Sequence, residues 1–289
     1  MIVWGLSVPA MKIALRDFPA LGLSFLRYLA AAPLFVAWLI GRPLPVRRDL
    51  WRMAWLGLIG IVVGQMAQIV GVQFTTASAA IMLTATIPMF TLLLAVPILG
   101  QRVAPRHLAG IAAATAGVAL IAWDRPAGTP ADAGLLGTAI LLVASIAIAA
   151  YYAVGTSLTR RCGAMTTASW SCLAGLIGMA PIGTWDLLRA PPAVTWPGVA
   201  MVLFLGWLVS AAGLFVFLWT MQRVPARIAA GSQFLQPPIG VAASAWLFGD
   251  AIGGWFAIGA VLVLAGIALT AIPARPSATP RSATPPSTS

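Results

Sequence analysis

Ten apolar runs follow one another along this chain with only short polar breaks, at about 1–16, 19–41, 51–73, 77–100, 104–123, 134–159, 165–188, 196–222, 226–249 and 252–273. Their length is the strongest constraint on the fold. Crossing about 30 Å of hydrocarbon takes roughly 20 mostly apolar residues in a helix. Barrel strands would be runs of about 10 alternating residues. In lipid each backbone N–H and C=O must be satisfied inside the segment, so long continuous runs mean helices. The chain is therefore read as an all-α integral membrane protein of ten transmembrane helices. Composition agrees, with 61% hydrophobic and 8% charged residues over 289 positions and a mean hydropathy of +0.97. No basic leader or small-residue cleavage site marks the first run, so a signal peptide is not expected. Residues 274–289, rich in Pro, Ser and Thr, are expected to form a disordered tail.

Arginine sets the expected orientation. The loops after the second, fourth, sixth and eighth runs, with the tail, carry arginines such as Arg42, Arg47, Arg48, Arg102, Arg106, Arg160, Arg161, Arg223 and Arg227 against one acid, Asp49. The opposite loops hold Asp17, Asp124, Asp132, Asp186 and Asp250 with few arginines. By the positive-inside rule the arginine-rich ends and both termini are cytoplasmic. The net charge of +11 then reflects topology, and no aromatic-interleaved basic patch supports nucleic-acid binding. Cys162 and Cys172 have no metal-ligand spacing, and His107 is read as a loop residue. No metal site, cofactor or catalytic constellation is expected, and the reading is not an enzyme.

Sliding the sequence by 149 residues places Ala77 on Ala226, Pro88 on Pro237, Gly100 on Gly249, Gly110 on Gly259 and Gly117 on Gly266 without a gap. Each half, 1–123 and 134–273 on either side of an external linker 124–133, holds five runs, an odd number. The second half must enter the membrane from the opposite face. Such a five-plus-five inverted repeat is an architecture of secondary transporters, with the site near the midplane around a central cavity. Pro88 and Pro237, followed by Pro238, fall at the centres of the fourth and ninth runs. There proline kinks a helix and frees carbonyls, which makes these positions the expected gating points.

The intramembrane polar groups are the candidate substrate ligands. Ser232, Gln233 and Gln236 surround the Pro237–Pro238 break; Gln65 and Gln68 share a face of the third run; Thr84 and Thr86 flank Pro88; Tyr151 and Tyr152 sit in the sixth run as further hydrogen-bonding groups for a small zwitterion, and Trp207 is a candidate aromatic wall. Each either lines a cavity or satisfies a neighbouring helix. All six acids are read as loop residues, which leaves no buried carboxylate for a proton relay or a cationic-drug site. Transport without ion coupling is the resulting expectation. The intramembrane cations are Lys12, a candidate partner for a substrate anion, and Arg27, expected to snorkel from the external end of the second run.

The stretches WGLSVPAMKIAL, FLRYLAAAPLF, GVQFTTASAAIMLTATIPMFTLLLAVPILGQRV with GIAAATAGVALIA, and the second-half WLFGD resemble the EamA family of the drug/metabolite transporter superfamily across nearly the whole chain. Within it the chain is most similar to YddG-type bacterial exporters of aromatic and other neutral amino acids. The resemblance implies ten helices around a cavity, a location in the bacterial cytoplasmic membrane, and export of a small molecule by alternating access, by a protein read as a monomer. The alternative within the superfamily is export of lipophilic drugs. Where the family commonly has glutamate, this chain has Gln101 and Asp250.

Overall fold

The computed structural model describes residues 1–99, 105–124, 131–216, 235–250 and 252–271. Among these the structure is helical, with no strands, and seven helices are long and apolar enough to cross a membrane. In chain order the helices are α1 (Ile2–Ala14), α2 (Ala20–Leu39) and α3 (Arg47–Gln73); α4 (Ala77–Thr84), α5 (Ile87–Leu99), α6 (Pro105–Trp123), α7 (Ala131–Cys162) and α8 (Ala164–Arg189); α9 (Trp196–Val216); and α10 (Gln236–Phe248) and α11 (Gly254–Ala271). Residues 274–289, and Ser232 and Gln233 of the ninth run, lie outside the described residues.

The fourth run is broken into α4 and α5 at Ala85 and Thr86. The position follows from Pro88, whose missing N–H and ring collide with the helix bond to Thr84, four residues back. The Leu83 carbonyl is met by the backbone N–H of Thr86 at 3.2 Å, by Thr86 Oγ1 at 2.6 Å and, loosely, by Ser145 Oγ at 3.5 Å. The break is thereby sealed within the protein rather than opened to a ligand.

Both α3 and α9 contain a π-helical stretch, Gly57–Gln65 and Phe204–Ala212. A stretch of this kind widens the helix and redirects its side chains. The α8 helix packs along α2 and α3, α7 along α3 and α5, and α6 along α11. The last pair is brought together by missing side chains. A Cβ on Gly117 would sit 2.5 Å from the Gly259 carbonyl oxygen, and one on Gly259 would sit 2.7 Å from that of Gly117; Gly266 lies equally tight against Gly110. In lipid, where apolar burial gives helices little reason to associate, such backbone approach is a main source of packing.

Four sequence expectations are corrected here. Helix α3 begins at Arg47, not near residue 51, because hydropathy marks the lipid-buried part while the helix continues through a polar turn. Asp49, taken for a loop residue, lies in that turn, 3% exposed, with Arg161 3.2 Å away. Asp186, likewise taken for a loop residue, lies inside α8, which runs on past the apolar part for the same reason. His107 is not on the surface but buried in α6, 5% exposed, since the helix resumes at Pro105 and turns it inward.

On the face expected to be external, aspartates from each half cap helices of the other. Asp186 Oδ2 accepts the N–H groups of Leu21 at 2.9 Å and Gly22 at 3.0 Å, opening α2. Asp250 accepts from Ser78 at 2.9 Å, opening α4. Asp124 accepts from Phe256 at 2.6 Å, opening α11. Asp17 accepts from the hydroxyl of Thr195, which itself caps α9 through Gly198 N at 3.2 Å. Orphan N–H groups and the positive end of the helix dipole draw carboxylates to such termini.

Candidate functional site: a buried guanidinium between two π-helical stretches

Arg27 is the polar centre of the bundle. It lies seven residues into α2, roughly 10 Å from the start of that helix, and is 6% exposed. The expectation that it snorkels is overturned, because its side chain turns into the protein. Its Nε donates to Ser210 Oγ at 2.7 Å, and Ser210 passes its own proton to the Leu205 carbonyl at 2.8 Å, five residues back. An i−5 partner of this kind belongs to the π-helical winding, so the irregular turn of α9 is what aims Ser210 at Arg27. Gly206 permits the approach: a Cβ there would fall 2.7 Å from the Arg27 carbonyl oxygen.

A second Arg27 nitrogen, Nη1, is buried and has no hydrogen-bond partner among the described residues. Its guanidinium carbon stands 5.6 Å from the centre of the Tyr28 ring, and Tyr152 and Cys172 are within electrostatic reach. The two ion pairs found among the described residues both involve Asp49, so no carboxylate neutralises Arg27 there. An uncompensated buried cation is costly and attracts an anion. Around it lies an apolar cluster that includes Tyr28, Phe35, Ile61, Met66, Cys172 and Met179. A buried fork of donors beside aromatic and aliphatic walls suits a small molecule with a carboxylate at one end and an apolar body.

Gln65 belongs to this region. It closes the π-helical stretch of α3, its carbonyl accepts from Ser24 Oγ at 3.4 Å, and its buried Oε1 lacks a partner among the described residues. Tyr152 is 46% exposed and meets Tyr151 edge to face at 5.6 Å. Tyr151 instead packs closely against Gly60. Gln68 is half-buried on the next turn of α3.

The other sequence candidates stand elsewhere. Thr84 Oγ1 bonds back to the Ala80 and Ile81 carbonyls at 2.9 and 3.0 Å, and Thr86 to Leu83. Their hydroxyls thus serve the α4–α5 break. Trp207 donates its indole N–H to the Ala30 carbonyl at 2.8 Å and leaves its ring 47% exposed. Lys12 lines a separate cavity of about 470 Å³ with Gln73, Thr138, Asp124 and Asp250, at the aspartate-bearing end. Gln236 opens α10, half-buried, with Pro237 buried and Pro238 exposed. Sequence reasoning missed Ser210. The available signal was a lone hydroxyl in the apolar run FLGWLVSAAG, opposite a cation with no acid to pair with.

The comparisons agree with a transporter. The chain matches the EamA-like transporter family over two segments, residues 1–123 and 135–272, and belongs to that family. It is a multi-pass membrane protein. Among its relatives, the probable terminal-alkyne amino-acid exporter of Streptantibioticus cattleyicolor is 29% identical over 93% of this chain and 89% of that one. The inner membrane transporter YedA of Escherichia coli K12, whose own activity is uncharacterised, is 26% identical over 96% and 92%. A probable amino-acid metabolite efflux pump from the same strain is 24% identical over 92% and 90%. A crystal structure 19% identical to this chain shares the fold, with a TM-score of 0.63 over 92% of each chain.

Proposed function

We propose that this protein exports small carboxylates with an apolar body, neutral and aromatic amino acids first among them, by alternating access in a bacterial cytoplasmic membrane, with both termini inside. The observation that carries the reading is Arg27: a cation buried in the bundle, held by Ser210 at 2.7 Å, with a free donor and no acid beside it among the described residues. Its Nη1 takes the substrate carboxylate, Gln65 Oε1, buried and without a partner among the described residues, accepts from the ammonium, and the apolar cluster receives the side chain. The names of two relatives, which refer to amino-acid export, point the same way, as does the likeness to YddG-type exporters.

The cycle rests on two inverted halves of five spans. Supporting this are the family match in two successive segments, the helix starts at Ile87 and Gln236, which are mates at the 149-residue offset, and the π-helical stretches of α3 and α9, the third span of each half. The contacts of Gly117 with Gly259 and of Gly110 with Gly266 exchange into one another under the same offset, as a two-fold axis requires.

The test is a substrate panel in proteoliposomes, pairing each neutral amino acid with its amide and its decarboxylated amine. Transport of the acid and rejection of the amine is the expected result. Equal transport of the amines, or preferential movement of lipophilic cations, would remove the basis for the reading, because a buried guanidinium repels both.

A further inference from the structure

We infer that the protein carries a binding groove for an anionic phospholipid, separate from the transport site, that runs from its arginine-bearing end between the N-terminal parts of α3 and α8. The groove has a volume of about 720 Å³ and is lined by Arg47, Arg48, Trp51, Ala54, Trp170 and Ile177 among others. Arg47 and Arg48 stand at its mouth. Their neighbours Arg52 and Arg161 engage Asp49, whereas neither Arg47 nor Arg48 has an ion-pair partner among the described residues.

The groove changes character with depth. Arg47 and Ala54 are seven residues apart on α3, roughly 10 Å along the axis, and Ile177 lies about 20 Å along α8 from its start. Two guanidiniums thus give way to two indoles and then to aliphatic side chains. Trp51 is 67% exposed and Ile177 74% exposed, so the walls open toward lipid rather than into the bundle. Tryptophan sits by preference at the headgroup level of a bilayer, which places the arginines beside phosphates and the floor among acyl chains.

One class of occupant matches all three zones: a membrane lipid with net negative charge, its phosphodiester gripped by the arginine forks and one chain laid over Ala54 and Ile177. Guanidiniums bind phosphate oxygens in pairs, and each basic residue near a membrane surface favours anionic lipid by a factor of about five. A free phosphate leaves the apolar floor bare. A phosphatidylcholine brings a cation to a mouth already holding two.

The test uses the full chain in phosphatidylcholine nanodiscs doped with a lipid bearing a photoreactive diazirine on its acyl chain, either phosphatidylglycerol or phosphatidylcholine. Cross-linked residues are mapped by mass spectrometry. Peptides carrying Trp51–Ala54 and Trp170–Ile177 should be labelled by the glycerol lipid more than by the choline lipid, by about fivefold for each arginine. Arg47→Gln with Arg48→Gln should erase that preference while leaving total labelling of the other spans unchanged. Equal labelling by the two probes in the parent, or an undiminished preference in the double variant, would overturn the inference. For a double variant that does not insert, competition on the parent decides. Unlabelled phosphatidylglycerol should displace the probe and inorganic phosphate should not; displacement by phosphate alone counts against a lipid site.

Discussion

Replacing Arg27 separates a substrate ligand from a structural residue, because the two roles move transport and stability in different directions. Arg27→Met keeps the length of the side chain and removes its charge. Cutting one partner from a buried, hydrogen-bonded charge pair costs about 2–5 kcal/mol. A chamber that admits a substrate also admits water, so the lower part of the range applies. About 2–3 kcal/mol corresponds to a roughly 30- to 150-fold fall in transport efficiency. Stability should barely change. The lost bond to Ser210 is worth about 1.5–3 kcal/mol as a hydrogen bond to a charged group, but Ser210 keeps the Leu205 carbonyl at 2.8 Å. Removing a buried cation that has no acid beside it offsets the loss. Arg27→Lys retains the charge without the fork and should recover part of the activity. The assay is efflux of a radiolabelled neutral amino acid from proteoliposomes, beside a thermal unfolding scan in detergent. Parent-like efflux by Arg27→Met would refute the substrate role. A large drop in Tm with no change in selectivity between acid and amine would assign Arg27 to packing instead.

Four further outcomes follow from the geometry. Gly117→Val should pry α6 from α11 and lower stability by about 1–3 kcal/mol, read as a fall in Tm; Gly254→Ala, where a Cβ meets nothing within 4 Å, should be near neutral. Pro88→Ala restores the helix bond to Thr84 and should slow turnover while leaving substrate affinity nearly unchanged; an unaltered rate would show the break to be tolerated only. Asp186→Ala removes two bonds at the start of α2 and should weaken the contact between α2 and α8 on the face expected to be external by about 1–2 kcal/mol, seen as faster labelling of a cysteine placed at Leu21 by a membrane-impermeant thiol reagent. A protonophore should leave the initial efflux rate nearly unchanged, since Asp49, the one buried acid among the described residues, is engaged by Arg161 at the end of its helix; strict dependence on a proton gradient would contradict this.

The helical membrane class was legible in the sequence because lipid makes one physical demand, apolar length, that residue identity answers directly. The break at Pro88 was legible for a related reason, since proline acts through its own backbone. The site was not. Arg27 and Ser210 are 183 residues apart, and the turn that joins them is a π-helical winding which no hydropathy pattern encodes. Thr84 and Thr86 show the complementary limit: a hydroxyl near a proline in a membrane span looks available to a ligand, yet in the structure both bond to local carbonyls. Lys12, expected as a candidate partner for a substrate anion, lines a cavity into which the chain itself brings Asp124 and Asp250.

The external aspartates connect fold to cycle. Sequence explains them by exclusion, as acids kept away from the cytoplasmic side, but the structure gives Asp17, Asp124, Asp186 and Asp250 a common task, since each ties a helix terminus of the other half. A capping interaction is worth about 0.5–2 kcal/mol, so four together strengthen the contact between the halves on the face expected to be external by several kcal/mol. A rocking transporter needs its two faces closed by comparable amounts, or one state dominates and turnover stalls. At the opposite end the described contact between halves that matches this chemistry is Asp49 with Arg161 at 3.2 Å. Opening on the aspartate-bearing side therefore costs these bonds. A substrate whose carboxylate settles on Arg27 supplies the difference if it binds the outward state more tightly, because only a differential affinity shifts such an equilibrium. Under the proposed cycle, the carboxylate that loads from the cytoplasm is then also what opens the way out.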